Sequence, residues 1–342
     1  MSKAHTGTAT RTHHPSGVLS HRRPARQRLS RIEIPRVAGN VELELDRRKV
    51  RLTHLDKLFW PSRGLTKHDL LQYYADVAPF LLPHIIDRAM VMKRYPDGAT
   101  GEAFFMKRAP TPRPEWVETC AIAHASGNVI EFPMVQDLAS LLWLVNLGCI
   151  DLHPWYARCD DVDRPDYLHF DLDPVPGARF DDVRATALIL RDMLQRLGMS
   201  PLAKTTGSRG IHVYVPIVRG PKQKSVWGVA KQIALALARQ QPQLITAEYR
   251  VARRPHGRVL VDYNQNAWGR TLASVYSLRP TLNATVSTPV TWSEIEQGAA
   301  TEDYRIDNVP GRLQEVGDLW APLLAKGERF NLETLDTDGM SD

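Results

Sequence analysis

The stretch His169-Phe170-Asp171-Leu172-Asp173-Pro174 places two carboxylates two residues apart. Side chains in an extended strand alternate between faces, so Asp171 and Asp173 point to one side and Phe170 and Leu172 to the other. Two like charges this close repel unless a cation sits between them, and carboxylate oxygens are hard ligands that suit Mg²⁺ or Mn²⁺. Alone, an Asp-x-Asp before the Pro174-Val-Pro-Gly177 turn reads more simply as a solvated strand end. Its neighbours decide between the two readings.

Thr205-Thr206-Gly207-Ser208-Arg209-Gly210 is a glycine-containing turn leading into the apolar run Ile211 to Ile217. Glycines let backbone N–H groups approach phosphate oxygens, and Arg209 adds charge. His212 stands one residue into that run, placed to donate to a phosphate; the plainer reading is a hairpin turn with a half-exposed His. Asp262 ends Val259-Leu260-Val261 and is followed by Asn264, Gln265 and Asn266. Three carboxylates on strand ends can hold two divalent ions, which activate a hydroxyl and stabilise a leaving pyrophosphate. Arg279, in Tyr276-Ser277-Leu278-Arg279-Pro280, suits a clamp on the same phosphates.

Alternating helices and strands must position these groups. Thr66 is a plausible N-cap for a helix through Leu82, with Leu70, Tyr73, Tyr74, Val77 and Leu81 at helical spacing. Gln136 to Leu147, Asp181 to Leu197 and Lys224 to Arg239 carry the same pattern, the first two followed by Gly148 and Gly198. Strand-like runs are Val41 to Leu45, Tyr167 to Leu172, Ile211 to Ile217 and Val259 to Tyr263. The class is mixed α/β or α+β, without internal repeats. Trp60, Trp143 and Trp155 read as core.

The chain has 342 residues and a net charge of +6. Residues 1–36 hold eight basic residues against Glu33, and the remainder is close to neutral. Residues 1–40 lack aromatics and read as a disordered basic tail, either a solubilising leader or an arm that weakly holds a polyanion. Residues 41–330 form the globular part, and 331–342 an acidic, flexible end. There is no secretory h-region and no run long enough to span a membrane. Cys120, Cys149 and Cys159 form no C-x-x-C pair, which argues for a reducing cytoplasm and against a zinc site or disulfide framework.

Together these motifs resemble the polymerase domain of bacterial ligase D, within the archaeo-eukaryotic primase superfamily. The resemblance spans Val41 to Leu324 and rests on an ordered series: Leu55-Asp-Lys-Leu-Phe-Trp-Pro61 with Thr66-Lys67, Phe104-Phe105-Met106-Lys107, Leu152-His153-Pro154-Trp155, Phe170-Asp-Leu-Asp-Pro174, Gly207-Ser-Arg-Gly-Ile-His212 and Val261-Asp-Tyr-Asn-Gln265. It implies mostly antiparallel central sheets with flanking helices and catalytic carboxylates on strand ends. Asp171, Asp173 and Asp262 would then ligate two Mn²⁺ or Mg²⁺ ions. His212, Arg279, Thr206, Ser208 and Arg209 would surround the incoming NTP or dNTP, and His153 would sense the ribose 2′-hydroxyl. Lys57 and Lys67, with His54 nearby, would hold the 5′-phosphate of gapped or broken double-stranded DNA. Phe104 and Phe105 would stack on template bases beside Lys107, one ring exposed and the other buried, and Lys93 and Gln265 would lie close to DNA or nucleotide.

Relatives usually carry Asn at the position of His54, Ser at Thr206 and Lys at Arg209; the last two changes keep the hydrogen-bonding type. With no room for a ligase or phosphoesterase domain, the expectation is a monomeric, cytoplasmic, nucleoid-associated bacterial repair polymerase. It would prefer ribonucleotides and work with a separate DNA ligase and the end-binding protein Ku. De novo priming, non-catalytic end bridging and metal-dependent nuclease action are the alternatives. The glycine turn and Arg279 favour triphosphate binding over the nuclease.

Overall fold

The computed structural model describes residues 31–335 except position 125. The expected basic arm and acidic end thus lie, for residues 1–30 and 336–342, outside the described residues. Order begins ahead of Val41. Ile34 is buried, its N–H donates to Gln72 Oε1 (2.9 Å) and its carbonyl meets His68 Nε2 (2.8 Å). The apolar Ile32/Ile34 alternation in an Arg-rich stretch is what attaches this segment to the helix Lys67–Ile85. At the other end Leu332 is buried, so packed chain continues past position 330.

The core is a six-stranded sheet in the order Ile245–Thr246, Val259–Asp262, Tyr167–Pro174, Ile211–Pro216, Leu202–Thr205, Pro289–Val290. All neighbours are antiparallel except the first pair. Phe170 and Leu172 are fully buried, as alternation requires. The helices Phe180–Arg196 and Gln223–Gln240 pack on this sheet. A second sheet orders Phe104–Met106, Met90–Arg94 and Cys149–Pro154, all antiparallel. The helices Lys67–Ile85 and Leu138–Asn146 pack on each other beside it.

Helix ends follow local chemistry. Thr66 is the N-cap of Lys67–Ile85, and Asp69 Oδ2 accepts from its N–H at 2.8 Å. This helix continues through Pro79 and Pro83 to Ile85, beyond the expected end at Leu82, because buried Leu81 and Ile85 hold its last turn. The helix Leu138–Asn146 starts at its first apolar residue rather than at the expected Gln136, since Asp137 caps it by accepting from Ser140 N–H (2.8 Å). Trp60 and Trp155 are core, whereas Trp143 is only half-buried.

Cys120 and Cys159 form a disulfide, with Cα atoms 5.9 Å apart. That corrects the expectation of unpaired cysteines. The 39-residue separation shows no spacing motif, and the fold alone brings the two sulfurs together. Among the described residues no helix is long and apolar enough to cross a membrane.

Candidate active site

Asp171 sits on the middle strand of the large sheet, with Asp262 directly across one ladder and His212 directly across the other. Register therefore gathers on three adjacent strands the groups that the sequence scatters over 91 positions. Asp171 is 7% exposed and its Oδ1 lies 3.1 Å from His212 Nε2. Burial first, then the Asp262 charge, raise its pKa to about 7. Asp173 is also raised to about 7, first by Asp171 and then by burial. Asp262 is held by Asn264 N–H (2.8 Å) and Gln265 Nε2 (2.9 Å).

No group of three His, Cys, Asp or Glu side chains among the described residues is already gathered at metal-ligand distance. The donor set nevertheless fits hard divalent cations. Both carboxylates hold protons up to near neutrality, Asp171 through burial and then the Asp262 charge, Asp173 through the Asp171 charge and then burial, and a divalent cation would offset that repulsion.

Behind His212 lies a residue that carries no motif. Lys204 is fully buried, and its Nζ meets His212 Nδ1 (2.7 Å), Ala273 O (3.0 Å) and Ser287 Oγ (2.5 Å). Ser287 Oγ donates to Thr205 O, so three acceptors surround Nζ, matching the three hydrogens of an ammonium. Burial and the Arg279 charge push this amine's pKa well down, against the pull of Asp171. Where Lys204 donates to Nδ1, the His212 proton resides on Nε2, facing Asp171.

The Thr206 to Gly210 turn is tight. Thr206 Oγ1 accepts from Ser208 N–H and Gly210 N–H, both at 3.1 Å, so two amides expected to face a phosphate are used internally. Gly207 has φ +66°, and a Cβ there would stand 2.6 Å from Arg279 Cγ and 2.8 Å from Ser287 N. A Cβ on Gly210 would collide with Leu172 O, the carbonyl next to Asp173. Arg279 Nη1 donates to Thr206 O at 2.8 Å, which ties the arginine to the turn. Arg209 is exposed, and its charge favours the ionised carboxylate of Asp173.

A second overlooked residue organises the cations. Asp151 is fully buried on the strand Cys149–Pro154. Its carboxylate lies 3.2 Å from Arg279 Nε, 3.7 Å from Lys93 Nζ and 3.8 Å from His153 Nε2, and accepts from Tyr95 OH at 3.2 Å. Although burial opposes ionisation, Arg279 and then His153 hold its pKa below the usual carboxylate value. His153 is itself buried, which lowers its pKa.

The ribbon formed by Met90–Arg94 and Phe104–Met106 pairs Lys93 with Phe105 and Arg94 with Phe104. Pleating sends the two pairs to opposite faces. Lys93 sits 5.5 Å from the Phe105 ring, which packs edge-on against His153 at 5.7 Å. Arg94 sits 5.3 Å from the Phe104 ring. Both phenylalanines are exposed, at 45% and 59%, which corrects the expectation that one would be buried. Their strand is a sheet edge, and cations rather than apolar side chains cover the rings. Lys107 is exposed beyond them.

Lys67 differs from an ordinary surface lysine in being 5% exposed. Its Nζ has Thr53 Oγ1 at 3.4 Å, and its pKa falls to about 8 through burial, then the charges of Lys57 and Arg94. Lys57 reaches Pro96 O (2.7 Å) and Asp97 Oδ1 (3.1 Å). The strands Leu58–Trp60 and Leu65–Thr66 hold the two lysines together, and Lys67 N–H donates to Lys57 O. His54 adopts φ +55°, a left-handed conformation in which Asn is favoured, and its N–H donates to Asn40 Oδ1. A buried amine pressed by two further cations has chemistry that suits an anionic group. Arg94 was not singled out in the sequence, and neither was an open groove of about 340 Å³ at Asp262 lined by Tyr249, Arg250, Arg254 and Arg270.

The geometry thus joins two carboxylate-bearing strands and a cationic turn to a separate cationic pocket through one ribbon. The family description "LigD, primase-polymerase domain" matches residues 66–320. The chain belongs to the LigD primase-polymerase family. It is therefore an enzyme of the DNA nucleotidyltransferase class, with the primase-like α/β fold expected from its motifs. It is 34% identical over 277 residues to the multifunctional non-homologous end joining protein LigD of Mycolicibacterium smegmatis, covering 80% of this chain and 36% of that protein. It is 29% identical to the bifunctional non-homologous end joining protein LigD of Bacillus subtilis, covering 79% of this chain and 43% of that protein. The chain thus spans well under half the length of these curated relatives. Among solved structures it matches the polymerase domain of Mycobacterium tuberculosis ligase D in complex with DNA, with TM-score 0.76 and 30% identity, covering 80% of this chain and 98% of that one.

Proposed function

We propose that this protein is a template-directed polymerase that inserts a few nucleotides at short gaps or broken DNA ends carrying a downstream 5′-phosphate. The observation that carries this reading is the cross-strand placement of Asp262 and His212 on either side of Asp171. The DNA-bound structural relative and the end-joining names of the LigD relatives support its assignment to repair, beside a ligase and Ku as separate partners.

Asp171, Asp173 and Asp262 would hold two Mn²⁺ or Mg²⁺ ions, which when bound activate the primer hydroxyl and stabilise the departing pyrophosphate. The chain's own residues do the rest. Arg279, fixed by Asp151 and Thr206, and His212, fixed by Lys204, meet the triphosphate with Ser208 and Arg209. Gln265 holds Asp262 oriented toward the nucleotide. His153, buried beneath Phe105, contacts the ribose and favours ribonucleotides. Phe105 and Phe104 stack on template bases, with Lys93 and Lys107 on the adjoining phosphates. Lys57, Lys67 and Arg94 take the 5′-phosphate, with His54 at the rim.

The test is primer extension on gaps of varied length, with and without a 5′-phosphate, supplying NTPs or dNTPs. Template-matched insertion, enhanced by the 5′-phosphate and by ribonucleotides, is expected. Primer shortening, or template-independent products, would overturn the reading.

A further inference from the structure

A pocket of about 330 Å³ lies outside the groups described so far, at the start of the helix Gln223–Gln240. That is the small end of the roughly 300–1,000 Å³ range of ligand sites. Trp227, Trp268, Lys222, Lys224, Gln223 and Asp163 line it, the two lysines and Asp163 exposed and Gln223 buried. Trp268 is 38% exposed although it packs against Trp155 and His124. Gln223 is 5% exposed, and its Nε2 donates to Ala267 O (3.3 Å). Its Oε1 is buried and lacks a donor among the described residues. A buried acceptor left open is unfavourable unless something supplies the donor.

The chemistry of the pocket is divided. Two indoles offer faces and edges for a flat aromatic group. Gln223 Oε1, with the Asp163 carboxylate at the rim, offers acceptors only. The helix start has no acidic residue in its first turn and carries Lys222 and Lys224, so the same mouth also attracts an anion. A flat ring with donors on its edge, joined to a phosphate, is a nucleotide unit. The pocket is tied to the segment that follows Asp262: Trp227 Nε1 donates to Asn264 Oδ1 (3.2 Å), and Trp268 lies further along the same segment.

We infer that this pocket holds one unpaired nucleotide of single-stranded DNA, stacked on tryptophan with its phosphate at Lys222 and Lys224, and selects bases bearing an exocyclic amino group. Adenine, cytosine and guanine bring an exocyclic amino donor to Gln223 Oε1 or Asp163, whereas the one donor on the pairing edge of thymine is its ring N3–H, flanked by two carbonyls that repel these acceptors. The inference rests on the polymerase reading above, because single strands arise at resected ends and gaps.

The test is fluorescence anisotropy of end-labelled dC12, dA12 and dT12 with the full chain, titrated at several salt concentrations. Wild type is expected to bind dC12 and dA12 severalfold more tightly than dT12. Trp268→Ala should lose about tenfold for all three, as one stacked base implies. Gln223→Leu should bring dC12 and dA12 down to dT12. Lys222→Ala/Lys224→Ala should weaken every strand and flatten the log–log salt slope by roughly 1. Equal affinity for the three strands in wild type, or strand binding unchanged in Trp268→Ala, overturns the inference. Should Trp268→Ala melt early, the exposed lysine pair still decides: an unchanged salt slope also overturns it. Templated insertion on gapped DNA is measured in parallel. Its absence in wild type counts against the polymerase reading, and its presence alongside unselective strand binding counts against the pocket alone.

Discussion

The carboxylate of Asp151 lies 3.2 Å from the Arg279 guanidinium, with Asp151 entirely removed from solvent. Lys93 and His153 approach the same carboxylate, so one buried negative charge balances three groups assigned to nucleotide and template. Asp151 is thus a positioning residue. Asp151→Asn keeps its shape and removes its charge. The nucleotide KM should rise about tenfold while kcat changes less, and urea denaturation should show a loss of ~1–3 kcal/mol for breaking a buried pair whose partner is partly exposed. An unchanged KM would remove Asp151 from that role.

The cationic pocket makes a pH-dependent prediction. Lys67 has its pKa lowered to about 8 by burial and by Lys57 and Arg94, and a bound phosphate favours its protonated form. The advantage conferred by a 5′-phosphate should therefore be full below pH 8 and decline as pH rises through it. Lys67→Ala and Arg94→Ala should each reduce that advantage about tenfold or more. Affinity ratios for phosphorylated and unphosphorylated gaps, measured from pH 6.5 to 9, check both statements.

Asp171 and Asp173 are raised to about 7 from an ordinary value of 3.8. Between these values the folded protein binds more protons than the unfolded chain. Their contribution to stability is full below about pH 4 and is lost as pH rises through 7. A divalent cation displaces those protons, so Mn²⁺ should raise Tm more at pH 8 than at pH 6. Thermal scans with and without Mn²⁺ test this, and the difference should vanish in Asp171→Asn/Asp173→Asn.

Gly207 combines a positive φ with no room for a Cβ. Gly207→Ala should cost ~1–3 kcal/mol in backbone strain alone and should also displace Arg279. Nucleotide affinity should fall even where the variant remains folded at assay temperature. Thermal melting paired with nucleotide titration separates the two effects.

Much of this molecule was legible before its fold was known. The Asp171/Asp173 alternation, the Gly207 turn and Asp262 each mark a position where few residue types serve, so pattern and chemistry agree. Asp151 and Lys204 escaped notice because each lies in a short apolar run without a motif: Cys149-Ile-Asp-Leu-His153 and Leu202-Ala-Lys-Thr205. A signal was present, since a charge in an apolar strand must find a partner when buried. What sequence cannot show is which partner, because Arg279 and His212 arrive from other strands and loops. The exposure of both Phe104 and Phe105 had the same origin, as alternation predicts faces but not what covers them.

The most direct measurement is single-turnover insertion of one templated nucleotide into a one-nucleotide gap with a 5′-phosphate, followed by pyrophosphate release in Mn²⁺. Wild type should extend the primer by the matched nucleotide, and Asp171→Asn and Asp262→Asn should each lose insertion by at least a hundredfold while still binding the gapped DNA. Insertion by either variant at the wild-type rate would contradict the assignment of the Asp171–Asp262 pair as the catalytic centre.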